Sequence, residues 1–468
     1  MENIMLLTDS YKATHFKQYP KGTTTVYSYL EARKGGKFDK TVFFGLQYII
    51  KRYLEGKVVT REKIDEADAF FAKHLGPNLF NKAGWEHILT KHDGKLPVRI
   101  KAAPEGVVIE EANVLVTIEN TDPECFWLTN YLETILLHVW YPTTVATLSY
   151  HMKETILKYL EKTGNPDLIA FKLHDFGFRG VSSVESAGLG GAGHLLNFMG
   201  TDTLAAITLA QQYYGADMPA FSIPASEHST ITSWGPECEA DAMENMLDQY
   251  PEGLVACVSD SFDIINACKN IWGKKLRDKI LARKGTLVVR PDSGDPKTVV
   301  IEVLDALGDA FGYSTNAKGY KVLPDQIRVI QGDGINDNSL SQILARMAIY
   351  GWSADNIAFG CGGALLQQMN RDTQRFAFKC SSVVVDGVER DVFKAPATDP
   401  TKNSKRGRLA LIKHTGWSDH TLKNYHYTTV SEKQLTDDSV NELKTVFENG
   451  ALIKEYAFDE IRRNTHNG

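Results

Sequence analysis

Arg290-Pro-Asp-Ser-Gly294 sets a guanidinium and a carboxylate on either side of a rigid proline. Arg suits bidentate contact with phosphate, and Asp suits Mg²⁺ or ribose hydroxyls. An Arg–Asp surface pair is the plainer alternative. Asp260, in Ser259-Asp-Ser261, and Asp333, in Gly332-Asp-Gly334, could join Asp292 around a Mg²⁺–diphosphate. Any one of them alone reads more simply as a helix N-cap. Gly332-Asp-Gly334 and Gly360-Cys-Gly-Gly363 each follow an apolar run, and the second, ending in Gly362 and Gly363, leads into the helix-like Ala364–Met369. Glycine lets backbone approach an anion, and free N–H groups at a helix start bind phosphate. Either loop alone is equally well a tight turn; two of them in adjacent units favour a phosphate site. His228, in Ser226-Glu-His-Ser-Thr230, offers a ring nitrogen to a phosphoryl group, with Glu227 beside it to orient the ring. His174 reads as a satisfied structural histidine and Asp202 as a cap for the helix opening at Leu204. Lys402–Arg408 reads as a solvated basic loop, and Arg371 and Lys379 as residues on or beside the helix after the second glycine loop.

Most of these residues share a position: each stands where a short apolar run ends. The runs and their polar ends are Lys172–Arg179, Ser222–His228, Val255–Asp260, Leu287–Gly294, Val329–Gly334 and Ile357–Gly363. A buried parallel strand is a near-continuous apolar run, and in α/β barrels the chemistry gathers where such strands end. Between the runs lie helical patterns. Thr298–Phe311 puts Val299, Val300, Val303, Leu304 and Leu307 on one face, and Ser339–Tyr350 does the same with Leu340, Ile343, Leu344 and Met347. Such alternation implies βα units around a parallel sheet, and the number of repeats favours a closed or nearly closed barrel.

The first 150 or so residues alternate less regularly. Thr24–Tyr29, Thr41–Phe44, Val98–Ala102 and Val114–Ile118 read as strands, and Phe44–Leu54 and Lys63–Leu75 as helices. Asp122 fits the N-cap, and Pro123 the first position, of an apolar helix. Gly164-Asn-Pro-Asp167 is the expected domain boundary.

Composition narrows the class. The 468 residues are 43% hydrophobic and 24% charged, as in a globular protein with an ample core. A net charge of -6 argues against non-specific nucleic-acid binding, so any anion site must be a local cluster. The six cysteines include no C-x-x-C pair, so neither a zinc site nor a disulfide scaffold is expected. Met1–Leu7 lacks a basic signal-peptide start, and no apolar stretch is long enough to span a membrane. The expectation is a cytoplasmic protein with no membrane and no nucleic-acid partner.

The chain resembles the nicotinamide phosphoribosyltransferases over essentially its whole length. The resemblance is carried by Thr8–Lys12, Thr121–Asn130, Lys172–Gly177, Arg179–Ser183, Gly200–Thr203, Glu227–Ile231, Ser259–Ser261, Arg290–Gly294, Val329–Gly334 and Arg371-Asp372. It implies an irregular (β/α) barrel domain plus an α+β domain built from the N- and C-terminal segments. The corresponding boundaries are 1–165, 166–385 and 386–468, the last rejoining the first. The implied reaction joins nicotinamide to phosphoribosyl diphosphate, giving nicotinamide mononucleotide and diphosphate in NAD salvage. Mg²⁺ and ATP take part, and the enzyme is a homodimer with shared sites. Carried over, Phe176 and the partner's Tyr11 stack on the nicotinamide ring, and Asp202 accepts from its carboxamide. Arg179 and Arg290 contact substrate and diphosphate, while Asp292, Gly332, Asp333, Gly362 and Gly363 hold the ribose and its 5′-phosphate. Arg33, Arg371, Lys379 and Lys394 reach phosphates, some across the dimer. His228 is the histidine phosphorylated by ATP, and Asp260 lies near it and, with Asp292, near Mg²⁺. Lys34–Lys40 is shorter than in animal members, and Ala256, Cys361 and Met199 replace commoner residues. A nicotinate phosphoribosyltransferase is the nearest alternative, disfavoured by Asp202. A non-catalytic signalling protein is the alternative of another class, disfavoured by the full set of strand-end residues.

Overall fold

The computed structural model describes residues 2–398, 403–418 and 422–466. The chain forms two compact units. One comprises residues 1–147, 210–216 and 369–468; the other comprises 148–209 and 217–368.

The second unit is the barrel. Six parallel strands lie in the order Gly200–Thr201, Leu173–Asp175, Ile357–Cys361, Ile327–Gln331, Lys284–Arg290 and Glu252–Val258. The ring closes through a seventh extended segment, which bridges Phe221 to Gly200 on one side and Ala225 to Ala256 on the other. Read around the ring, the seven staves follow chain order, as repeated βα units require. The strands obey a period of two. Val255, Cys257, Leu287, Val289, Val329, Ile357 and Phe359 are fully buried or nearly so. The intervening Ala256, Val288 and Ile330 form a second cluster inside the ring, against Phe176, Ile223 and Ala358. Helices Pro296–Phe311 and Asp337–Ile349 bury the faces read from their spacing.

The first unit is built on a seven-stranded sheet that uses both ends of the chain. Strand Thr23–Ala32 pairs antiparallel with Phe376–Val385 and with Val114–Asn120, and Lys444–Glu448 pairs with Val98–Ala102. Asp122 caps a 3-10 turn with Pro123 in its first turn, but the helix expected beyond it is broken into Leu128–Tyr131 and Glu133–Leu137. Among the described residues, no helix is long and apolar enough to cross a membrane.

Three expectations need correction. The divisions fall at 147/148, inside the helix Trp140–Thr163, and at 368/369, not at 165 and 385. Gly164-Asn-Pro-Asp167 lies within the barrel unit, where the Asn165 N–H donates to Asp355 at 2.7 Å. Residues 376–385 leave the barrel because their backbone groups are taken by Thr23–Ala32. Lys379 is therefore on a strand, and the helix after the second glycine loop is only the turn Gly363–Leu366. The basic loop is not solvated where it is described. Lys405 pairs with the buried Glu31, and Arg408 with Glu119 at 2.8 Å and Glu432 at 2.9 Å. Buried carboxylates are costly unless paired, and these cations supply the partners. Lys402 lies outside the described residues.

Candidate active site

The barrel is not filled. A cavity of about 440 Å³ opens within it, walled by Leu254, Ala256, Val288, Ile330, Ala358 and Phe221. Ala256 lies opposite Val288, and Ala358 opposite Ile330, so each large inward side chain faces a methyl group across the pair. Large residues at all four positions would close the space, as in an ordinary packed barrel.

The polar end of the cavity is built from strand tips. His174 stands between Leu173 and Asp175, both fully buried, so alternation turns the imidazole toward the cavity. Its Nε2–H donates to Asp202 Oδ1 at 2.9 Å, and the Ser222 hydroxyl donates to the same oxygen. Burial raises the Asp202 pKa, but the hydrogen bonds from His174 and Ser222, with the charges of His174 and Arg290, outweigh it. The net shift is downward, so Asp202 is a carboxylate at neutral pH. Among the described residues, no group donates to its Oδ2. His174, which reads as structural from sequence, thus holds the Asp202 carboxylate; the alternation Leu-His-Asp is the available signal.

Phe176 is held by its backbone N–H, which donates to the Cys361 carbonyl at 3.0 Å. Its neighbour Asp175 is buried and accepts from the Gly177 N–H at 2.7 Å and from Thr201 at 3.2 Å, fixing the turn that presents the ring. Burial pushes the Asp175 carboxyl up against those bonds. A Cβ on Gly360 would sit 2.0 Å from the Phe176 ring, so this glycine exists to admit the phenyl group. Gly363, by contrast, has open space where a Cβ would go. Gly362 meets only the Phe176 carbonyl at 3.7 Å. The second glycine loop therefore differs along its length: Gly360, like Gly332 of the first loop, faces Phe176, while Gly362 and Gly363 have open space beside them.

A second cluster adjoins the first through Arg290. Its Nη2 lies 3.5 Å from Asp292 Oδ2, and His228 Nε2 lies 3.4 Å from that oxygen and 3.7 Å from Asp260 Oδ1. The other ring nitrogen of His228 meets the Ser261 hydroxyl at 3.2 Å. Glu227 does not orient the ring. It caps the helix His228–Thr232 and accepts from Ser229, its local backbone offering the nearer donors. Two buried atoms here lack a hydrogen-bond partner among the described residues: Arg290 Nε, and Asp260 Oδ1, which lies 3.7 Å from His228 Nε2 on a side chain 4% exposed. Buried polar atoms are nearly always satisfied, so both point to a ligand that completes them. The carboxylates suit a divalent cation, and the guanidinium suits an anion.

The remaining expected residues are dispersed. Asp333 is exposed, its backbone carbonyl accepting from Gln331 at 3.0 Å, and Arg179 is on the exposed turn Phe178–Gly180, outside the cavity lining. Tyr11, Arg33, Arg371, Lys379 and Lys394 belong to the sheet unit. There Tyr11 is 59% exposed. Burial lowers the Lys379 pKa, and the charges of Arg33, Lys394 and Arg371 lower it further against the opposing pull of Glu133. The four basic residues thus make one repulsive, anion-seeking cluster.

Comparison with known proteins agrees with this chemistry. The profile of the nicotinate phosphoribosyltransferase (NAPRTase) family matches residues 171–451, and that of the nicotinamide phosphoribosyltransferase N-terminal domain matches residues 3–100. The nicotinamide phosphoribosyltransferase of Xanthomonas campestris pv. campestris (strain 8004) is 51% identical over 467 residues, covering 99% of this chain and 98% of the relative. That of Acinetobacter baylyi is 35% identical over 492 residues, covering 97% and 95%. Among solved structures, nicotinate-nucleotide pyrophosphorylase from Pyrococcus furiosus aligns with a TM-score of 0.61 at 16% identity, covering 99% of this chain and 95% of that one. Human nicotinic acid phosphoribosyltransferase aligns at 0.54 and 17% identity, covering 98% and 93%. These two show the fold, and the sequence relatives show the lineage: the chain belongs to the nicotinate phosphoribosyltransferase family and, within it, to the nicotinamide phosphoribosyltransferases.

Proposed function

We propose that this chain transfers a phosphoribosyl group from phosphoribosyl diphosphate to the ring nitrogen of nicotinamide, forming nicotinamide mononucleotide and diphosphate in NAD salvage. One observation carries the choice of base. Asp202 is ionised, its Oδ1 is occupied by His174 and Ser222, and its Oδ2 is left to accept. A neutral carboxamide can donate to Oδ2, whereas nicotinate brings a second negative charge against it. The Phe176 ring beside Asp202 offers a stacking face, and the names of the sequence relatives support the same base.

The chemistry needs no general base, because the pyridine nitrogen carries a free lone pair at neutral pH. That pair forms the bond to ribose C1 as the C1–O bond breaks, and the bonding electrons leave with diphosphate. Catalysis then rests on holding the two reactants in line and stabilising charge. Arg290 takes departing negative charge, for which its unpaired Nε is suited. Asp292, Gly332, Asp333, Gly362 and Gly363 serve the ribose and its 5′-phosphate, the carboxylates facing hydroxyls and the glycines the phosphate, supported by the open space beside Gly363. Asp260 and Asp292 would hold Mg²⁺, which the unpartnered Asp260 Oδ1 supports. When bound, the ion would neutralise diphosphate charge.

His228 serves as the phosphoryl acceptor that couples turnover to ATP. Support comes from its half-exposed ring, anchored at one nitrogen by Ser261, with the other turned toward the two carboxylates. Tyr11 and the cluster of Arg33, Arg371, Lys379 and Lys394 serve a homodimer with shared sites. The exposed Tyr11 ring and the mutual repulsion around Lys379 support that role. Six free cysteines suit a cytoplasmic setting. The test is diphosphate release from phosphoribosyl diphosphate with nicotinamide or nicotinate, each with and without ATP. Nicotinamide is expected to be preferred and ATP to stimulate. A preference for nicotinate, or no release from well-folded protein, overturns the reading.

A further inference from the structure

Four metal-ligating side chains converge in the sheet unit, and none of them lines the cavity. His87 is on helix Lys82–Lys91, and His92 caps that helix at its C-terminal end. Asp122 caps the turn Pro123–Cys125, which Cys125 ends. The ligand atoms of these four residues all lie within 4.8 Å of one another. Asp122 Oδ2 accepts from His87 Nε2 at 2.7 Å and from His92 Nε2 at 2.6 Å, while Oδ1 accepts from the Glu124 N–H at 2.9 Å. The Cys125 thiol is fully buried and has no hydrogen-bond partner among the described residues.

Hydrogen bonding explains the two imidazoles on one carboxylate oxygen. It does not explain why a buried thiol also lies within 4.8 Å of the carboxylate and both imidazoles. A transition-metal ion does. Two imidazoles, a carboxylate and a thiolate are the donors zinc takes, and structural zinc sites use two short-spaced pairs of ligands from separate segments. Here the pairs are His87 with His92 and Asp122 with Cys125. Charge also balances, since neutral histidines leave one carboxylate and one thiolate against a divalent cation. Bonds of about 2.0–2.3 Å in a tetrahedron separate neighbouring ligands by about 3.3–3.8 Å. The nitrogen–oxygen pairs need to open by about 0.6–0.7 Å, and the remaining ligand atoms, all within 4.8 Å of one another, need to close by no more than about 1 Å. Two imidazoles and the carboxylate are partly exposed, which gives an ion access.

We propose that His87, His92, Asp122 and Cys125 form a structural zinc site that ties the end of helix Lys82–Lys91 to the start of the Pro123 turn.

The test uses the full chain, stripped with a chelator and titrated with Co²⁺ in excess Mg²⁺, so that Asp260 and Asp292 do not contribute. Expected are about one equivalent bound, tetrahedral visible bands and a sulfur-to-metal charge-transfer band, all displaced by Zn²⁺. Cys125→Ser should abolish the charge-transfer band. Because Cys125 is buried and its variant could misfold, the partly exposed His87→Gln supplies the second arm. It should keep the fold by circular dichroism while weakening Co²⁺ at least tenfold. Zn²⁺ should raise the Tm of the parent protein and not that of His87→Gln. No tight Co²⁺ binding, a spectrum without sulfur charge transfer, or affinity in His87→Gln within twofold of the parent overturns the proposal.

Discussion

Replacing Asp202 by Asn tests the base-recognition argument with the smallest change of shape. The oxygen of the new amide stays at the Oδ1 position, because His174 and Ser222 both donate there. Its NH₂ therefore takes the Oδ2 position and turns a donor toward the cavity. Nicotinamide then meets a donor where its own NH₂ needs an acceptor. A hydrogen bond to a charged group contributes about 1.5–3 kcal/mol, so kcat/KM for nicotinamide should fall roughly 10- to 150-fold. Nicotinate gains what the parent protein denies it. Two like charges about 4 Å apart repel by about 4 kcal/mol at an effective dielectric of about 20. The Asp202 side chain is 49% exposed in the open cavity, so solvent screening reduces this to about 2 kcal/mol, or roughly 30-fold. The two effects multiply in the selectivity ratio, which should shift toward nicotinate by at least two orders of magnitude. Steady-state kcat/KM for both bases, with saturating phosphoribosyl diphosphate and no ATP, measures it. A ratio within threefold of the parent's, in a variant of unchanged Tm, would refute the role given to Asp202.

The other predictions address separate parts of the molecule. Gly360→Ala puts a methyl group 2.0 Å from the Phe176 ring, so it should raise KM for nicotinamide and cost about 1–3 kcal/mol of stability. Gly363→Ala meets no atom, so it should leave denaturation midpoints unchanged and weaken only phosphoribosyl diphosphate; equal Tm losses in the two variants would contradict this contrast. His228→Ala should abolish ATP stimulation while basal turnover remains, and ATP coupling that survives the change clears His228. Glu105 is fully buried, and burial pushes its carboxyl up to about 7 despite bonds from the backbone N–H groups of Gln47 and Gly45. The protonated folded form therefore adds stability below the ordinary value of 4.5, and that stability is lost as pH rises through about 7. The loss amounts to roughly 3 kcal/mol. Urea denaturation across that window should show a shallower decline for Glu105→Gln than for the parent, and parallel curves would contradict it.

The barrel was legible because parallel strands buried on both sides must be apolar runs, and because its helices carry clean one-sided spacing. What sequence could not fix was which distant segments pair. Phe376–Val385 follows the last barrel turn closely, so it read as part of the barrel. Its partner is Thr23–Ala32, at the far end of the chain, and strand pairing at that separation leaves no local trace. The closing stave at 221–225 is legible in the run Ser222–His228, although its pairing is sparse. Pro224 cannot donate to a ladder, and the segment is joined to its neighbours by single bridges.

At the site, residue types were informative and orientations were not. Asp260, Asp292, Arg290 and His228 were all singled out at strand ends, and the structure brings them together. Glu227 was misjudged because a helix start competes for its side chain, and a local cap wins over a longer reach to the ring. His174 was undervalued because a lone histidine usually has a structural task. Here it has one: by donating to Oδ1, it helps keep Asp202 ionised and its second oxygen free. The same lesson holds for the histidine–aspartate–cysteine cluster. A search for cysteine pairs passes over it, because its ligands come as two unlike short-spaced pairs that lie 30 residues apart in the chain. A site whose ligands are recruited by packing has no linear signature, and only the fold can show that a buried thiol and two imidazoles face one carboxylate.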